Sequence, residues 1–203
     1  MMSYHSVKII FQLSIISIIF IGLSSPILAT ANEKNAAVNS NNTPAMSNAS
    51  ASTSHKTSTI FLVRHGEKQT GEDPQLTEQG KNRALALANT LSAIKLDAVY
   101  STQYQRTEQT ALPTANSQYL KISYYNPREL AEFASQLQLN SGAKVLVVGH
   151  SNTTPKLVNL LGGEPGTEIN EKSEFDRLYI VTIFAPSITE KPAAQVSTTL
   201  LKY

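Results

Sequence analysis

Two short runs in this 203-residue chain carry side chains suited to anion chemistry, Arg64-His65-Gly66-Glu67 and Gly149-His150-Ser151-Asn152, and a further guanidinium stands at Arg106. Each histidine follows an apolar run with one residue between, Ile60 to Val63 in one case and Val145 to Val148 in the other, as expected where a buried strand of a parallel sheet ends. Two neutral imidazoles could ligate a metal, with carboxylates completing the set. Zinc sites, however, usually take at least three protein ligands, no third suitable histidine and no cysteine is present, and the guanidinium beside His65 would repel a cation. Two arginines and two histidines converging at helix N-termini instead form a site for a tetrahedral dianion, most simply phosphate. Neither a metal nor a cofactor is expected. An imidazole with one nitrogen free and the other hydrogen-bonded is also a nucleophile. Its attack on phosphorus would give a phosphohistidine, the arginine pair would neutralise the equatorial oxygens, and water would hydrolyse the intermediate.

The elements that must position these groups alternate along the chain. After the strand at Ile60 to Val63 comes a loop up to Thr77, then a helix with Ala84, Leu87, Ala88, Leu91 and Ile94 at three- and four-residue steps. Asp97 to Ser101 reads as a second strand, and Gln103 to Ala111 as a helix ended by Pro113. Leu120 to Tyr125 is the third strand, and Pro127 suits the first turn of a helix running to about Leu137. Lys144 to Gly149 is the strongest central strand. Pro155 opens a helix with Leu157, Leu160 and Leu161 on its apolar face, which Gly162 and Gly163 stop. Arg177 to Phe184 and Gln195 to Leu201 are the last strands. The alternation predicts an α/β fold, a three-layer sandwich with a mostly parallel central sheet. Ligands of such sheets bind beyond the carboxyl ends of the strands, so the first and central strands are expected to be neighbours that bring His65 and His150 together.

Composition excludes several classes. With 17 Lys and Arg against 15 Asp and Glu, the net charge of +2 provides no nucleic-acid footprint. The absence of cysteine rules out a disulfide scaffold, a thiolate metal site, a cysteine nucleophile and an iron–sulfur cluster. Residues 1–31 are expected to be a signal peptide: Lys8 precedes an apolar core from Ile9 to Leu23, too short for the roughly 20 residues of a spanning helix. Ala29-Thr30-Ala31 then offers a small-x-small cleavage site. An uncleaved anchor is the alternative. Residues 32–57 include 19 of Asn, Ser, Ala or Thr, among 26, so they are expected to be a disordered linker, with His55 solvated. Residues 58–203 form the domain. After cleavage no stable membrane insertion is expected. Asn152-Thr153-Thr154 is a glycosylation sequon beside the expected pocket, which argues for bacterial export, periplasmic or secreted, over a glycosylating pathway.

At these residues the sequence resembles the histidine phosphatase superfamily, also called phosphoglycerate mutase-like. The resemblance runs through Leu62-Val63-Arg64-His65-Gly66-Glu67, Leu76-Thr77 with Gly80, Tyr100-Ser101 with Arg106, Gln109, Thr110 and Ala111, and Val148-Gly149-His150-Ser151. It implies a phosphoglycerate mutase-like fold, with His65 as the phosphorylated nucleophile and with Arg64, Arg106 and His150 holding the phosphoryl group. Gly66, lacking a Cβ, would let the backbone pass close to the phosphate. Glu67 is placed to salt-bridge Arg64. By the same resemblance the general acid lies between the second Arg and the second His, which makes Glu129 the first choice and Glu132 the second. Phytase-like members carry an acidic residue where this chain has Ser151.

Only 43 residues separate Arg106 from His150, so the covering insertion of the mutases is missing and the site resembles that of the small bacterial histidine phosphatases. The expected activity is exported, metal-independent hydrolysis of phosphomonoesters or phosphohistidine. The substrate would be a phosphorylated small molecule, a glycolipid or a phosphoprotein. A phospho-ligand binding module without turnover and a phosphomutase are the competing readings, and the oligomeric state is left open.

Overall fold

The computed structural model describes residues 56–184 and 195–203. The proposed signal segment, its cleavage site and all but the last two linker residues lie outside them. The elements in chain order are β1 (Thr57–Arg64), α1 (Glu78–Thr90), β2 (Ala98–Ser101), α2 (Gln105–Ser117), β3 (Ile122–Tyr124), α3 (Leu130–Leu139), β4 (Lys144–Gly149), α4 (Thr153–Leu160), β5 (Arg177–Phe184) and β6 (Gln195–Lys202). One sheet holds all six strands in the order β3-β2-β4-β1-β5-β6. The first four strands in that order run parallel, while β5 pairs antiparallel with β1, and β6 antiparallel with β5. The mostly parallel α/β sandwich expected from the alternation is what forms.

Continuous apolar runs become strands buried on both faces because successive side chains point to opposite sides of a sheet. Phe61, Val63, Val99, Leu146 and Val148 pack on one face with Leu87 and Leu91 from α1 and its C-terminal turn, and with Ala111 and Ala115 from α2. Ile60, Leu62, Val145 and Val147 pack on the other face with Leu130, Phe133 and Leu137 of α3 and Leu157, Val158 and Leu161 at α4. The helices that follow β1 and β4 therefore lie on opposite faces, although the two strands are neighbours. That reversal opens a crevice at their carboxyl ends. Arg64 pairs with Gly149 there.

Several boundaries differ from the sequence expectation: α4 starts at Thr153, two residues before Pro155, α1 ends at Thr90, before Ile94, and three more have a visible cause. The α2 helix runs through Pro113 to Ser117 instead of ending at it. Proline there removes the bond that would reach the Gln109 carbonyl, but buried Ala111, Thr114 and Ala115 hold the turn against the sheet. Pro127 lies ahead of α3, which starts at Leu130. The third strand shrinks to Ile122–Tyr124, because the Leu120 N–H still bonds the Ala115 carbonyl at 2.9 Å as part of the α2 exit, and Tyr119 takes a positive φ of 57°.

Candidate active site

His65 and His150 leave the ends of β1 and β4, and the His65 amide donates to the Gly149 carbonyl at 3.0 Å. Their ring centroids are 5.5 Å apart, with the planes at 71°. Both line a cavity of about 420 Å³ together with Lys68, Tyr104, Arg106, Pro127, Arg128, Ser151, Asn152, Thr153 and Glu171.

His65 is 3 % exposed. Its Nδ1 lies 2.8 Å from the Gly66 carbonyl oxygen. A carbonyl only accepts, so Nδ1 carries the proton and Nε2 keeps its lone pair. Burial lowers the His65 pKa to about 3; the Gly66 bond opposes this, while the charges of Arg64, His150 and Arg106 add to it. Near neutrality the ring is thus an uncharged base with Nε2 available. His150 Nε2 bonds Thr102 Oγ1 at 3.0 Å, Thr102 Oγ1 in turn meets Thr107 Oγ1 at 2.9 Å, and the His150 amide donates to Thr153 Oγ1 at 2.9 Å. Burial, then Arg106 and Arg64, lower the His150 pKa to about 4.

Arg64 is 1 % exposed and is not among the residues lining the cavity. Its Nη1 donates to the Asn170 and Glu174 carbonyls at 3.2 and 2.8 Å, its Nη2 to the Glu171 carbonyl at 2.8 Å, and the Phe175 ring covers the guanidinium at 4.0 Å. The Nε–H, buried, has no partner among the described residues. Arg106, in the first turn of α2, stacks over Tyr104 at 4.5 Å and reaches the Asp73 carboxylate at 3.5 Å, and its buried Nε–H likewise lacks a partner among the described residues. An unpartnered charged donor is costly to bury. Two of them, one on the cavity-lining Arg106 and one on Arg64 next to His65 in the chain, leave the region short of an anion. Burial lowers the Arg64 pKa as well, partly offset by Glu171 and Glu67, so a bound dianion would relieve a charge already held at a cost.

The other motif positions acquire physical roles. The Gly66 N–H donates to Thr110 Oγ1 at 2.9 Å, and the Leu76 N–H to Gln109 Oε1 at 2.9 Å. Gly66 is required by its neighbour: a Cβ there would stand 2.9 Å from the Gly80 carbonyl oxygen in the first turn of α1. Thr77 caps that helix by accepting from the Gly80 N–H at 3.1 Å. Glu67 pairs with Arg83, not with Arg64: Nη2–Oε1 is 2.6 Å and Nε–Oε2 is 2.9 Å. The pair ties the loop after His65 to α1. Asp73 accepts from the Gln105 N–H at 3.0 Å, which ties the same loop to α2.

The structure places Glu129 elsewhere. It is exposed at the N-terminus of α3 and, with Glu132, lines a separate hollow beside Tyr100, Tyr124, Tyr125 and Phe133. The acidic residue that lines the histidine cavity is Glu171, which no motif marks. Lys68 and Arg128 also stand outside every motif, and no spacing rule points to them.

A crevice at the switch point of an α/β sheet, lined by two neutral imidazoles and the Arg106 guanidinium, with the buried Arg64 next to His65 in the chain, suits a tetrahedral oxyanion. Residues 60–136 match the model of the histidine phosphatase superfamily (branch 1). Over those residues, which run from β1 into α3, the domain is similar to that superfamily. Phosphoserine phosphatase 1 of Hydrogenobacter thermophilus is 38% identical over 71 residues, 31% of this chain and 34% of that protein, so the chain spans about a third of the length of this curated relative. Among solved structures, a mycobacterial glucosyl-3-phosphoglycerate phosphatase superposes with a TM-score of 0.52 at 13% identity, covering 63% of this chain and 91% of that one. A SixA structure from Nakamurella multipartitia gives 0.52 at 19% identity, covering 72% and 96%. These structural likenesses are likenesses of fold.

Proposed function

We propose that this chain is an exported, metal-independent phosphatase that hydrolyses phosphomonoesters, or phosphohistidine, through a phosphohistidine on His65. The observation that carries the reading is the Nδ1 bond of His65 to the Gly66 carbonyl, which leaves Nε2 as an uncharged nucleophile in a cavity that Arg106 also lines. In the first step Nε2 forms the N–P bond as the P–O bond to the leaving group breaks, and the donors of Arg64, Arg106 and His150 hold the phosphoryl oxygens. In the second step water attacks phosphorus, the N–P bond breaks, and inorganic phosphate leaves. The signal-like residues 1–31 support export, to the periplasm or beyond.

A basic leaving group needs a proton, and the group that gives it can later take one from water. Glu171 lines the histidine cavity and Glu129 does not, so the geometry favours Glu171. Glu171→Gln should slow hydrolysis of alkyl phosphates strongly and of nitrophenyl phosphate little, with Glu129→Gln neutral on both. The reverse pattern would return the role to Glu129.

The cavity shares wall residues with two others. Ser151, Asn152 and Glu171 are shared with one of about 650 Å³, and Tyr104, Pro127 and Arg128 with one of about 570 Å³. The leaving group therefore has open room, consistent with a small molecule, a glycolipid or a phosphoprotein as substrate. The name of the Hydrogenobacter relative supports the small-molecule end, where Lys68 and Arg128 would meet a second anionic group.

The test is turnover of a chromogenic aryl phosphate after exhaustive chelation. Because guanidinium groups supply the positive charge, activity should survive EDTA, and vanadate should inhibit competitively. Loss with EDTA and recovery with zinc or magnesium would overturn the metal-free reading, and vanadate binding without turnover would leave a binding module. A mutase is disfavoured because the interval from Arg106 to His150 folds into the rest of α2, β3, α3 and β4, with no covering insertion.

A further inference from the structure

Arg177 opens β5 beside the end of β1. The last paired positions of these strands are Val63 and Leu178, so Arg64 and Arg177 each stand one residue beyond them. Arg64 and Arg177 are both buried, a buried guanidinium is unfavourable unless it is well paired, and one segment, Thr167 to Phe175, serves both. Arg177 is 6 % exposed. It grips the Glu174 carboxylate with two bonds, Nε–Oε1 and Nη2–Oε2, both 2.8 Å. It also donates to the Thr167 carbonyl at 2.6 Å, Tyr179 Oη at 3.0 Å, Thr167 Oγ1 at 3.0 Å and the Glu168 carbonyl at 3.2 Å.

Glu174 joins the two arginines. Its carboxylate holds Arg177 and also accepts from the Asn170 N–H at 3.0 Å, which closes the turn from Asn170 to Glu174. The carbonyls of that same turn, at Asn170, Glu171 and Glu174, take both Nη1 hydrogens of Arg64 and one on Nη2. What remains on Arg64 is the Nε–H and the other Nη2–H. Lys202 is the further cation near Glu174, at 3.8 Å and exposed, and it cannot reproduce the two-point grip of a guanidinium.

The geometry points to Arg177 as a positioning residue for the phosphoryl pocket: through Glu174 it sets the carbonyl turn that orients Arg64 and reserves the Arg64 Nε–H for the phosphoryl oxygens. This rests on the reading of Arg64 as a phosphoryl ligand. Arg177 itself touches no substrate.

The test is a double-mutant cycle in the full chain, read by KM for nitrophenyl phosphate and by inhibition with inorganic phosphate. Arg177→Lys and Glu174→Gln should each raise KM and weaken phosphate inhibition by about 10-fold or more, since small misplacement of a positioned group can cost up to about 100-fold. When Arg64 is already Lys, Arg177→Lys should change either quantity by less than about 2-fold, because its effect passes through Arg64. A lower Tm with unchanged KM and phosphate inhibition would show a purely structural role and overturn the proposal. So would the same factor in both backgrounds. Should Arg177→Lys not fold, the cycle of Glu174→Gln with Arg64→Lys decides by the same criteria. A wild-type chain that neither binds phosphate nor turns over substrate would remove the phosphatase reading itself, and this proposal with it.

Discussion

His65→Ala should form no phosphoenzyme and lose turnover by about 10⁴-fold or more, in the range that removal of a nucleophile costs. In the wild-type chain, brief reaction with labelled substrate followed by denaturation should leave a label stable in alkali and lost in acid, as a phosphoramidate is. Because His65 is buried, His65→Asn serves as a second variant with a smaller change in packing, and Tm measurements separate loss of chemistry from loss of fold. A labelled His65→Ala protein, or full turnover by it, would sink the assignment. The same imidazole sets the acid limit. Only the uncharged ring attacks, and kcat/KM reports groups of the free enzyme, so the acid limb due to His65 should fall at about 3, not near 6.5. Folding stability follows the same sign. Below pH 6.5 the unfolded histidines take up protons that the folded His65 and His150 refuse, so stability declines as the pH falls from 6.5 toward their values of about 3 and about 4. A bound phosphate, whose charge favours imidazolium, should narrow that window.

Arg106→Ala should lower kcat/KM by about 10² to 10³-fold, the loss typical of one oxyanion donor. In the proposed reaction Arg106 would bond the phosphoryl oxygens in both ground and transition states, so KM should rise, kcat should fall and inhibition by inorganic phosphate should weaken together. Arg106→Lys should rescue only in part. It restores charge but not the Nε–H that lies buried without a partner. Unchanged phosphate inhibition in Arg106→Ala would show that the guanidinium faces Asp73 and Tyr104 alone and plays no part in binding.

The adjacency of His65 and His150 is legible in the amino-acid order. Both stand after four-residue apolar runs, such runs in an alternating chain become central strands buried on both faces, and the register Arg64 to Gly149 then sets the two rings side by side. The layer order and the anion preference follow from the same local signals. Boundaries are less legible. Pro113 reads as a helix stop, yet packing of Ala111 and Ala115 on the sheet outweighs one missing backbone bond.

Local pattern thus settles which side chains stand at strand ends, because apolar alternation and turn chemistry are properties of neighbouring residues. Whom those side chains meet is settled by the folded chain. Arg64 finds its carbonyl partners 106 to 110 positions away, in a turn brought to β1 by the antiparallel return of β5. Backbone carbonyls carry no residue signature, so nothing in the composition of the Asn170 to Phe175 segment marks it as a cradle. The same return places Glu171 on the cavity wall while the direction of α3 leaves Glu129 outside it. Close approach of α1, seen only in three dimensions, gives Glu67 to Arg83 instead of Arg64 and makes Gly66 a packing requirement against Gly80. Long-range contacts depend on the summed geometry of the whole sheet, which no local pattern encodes.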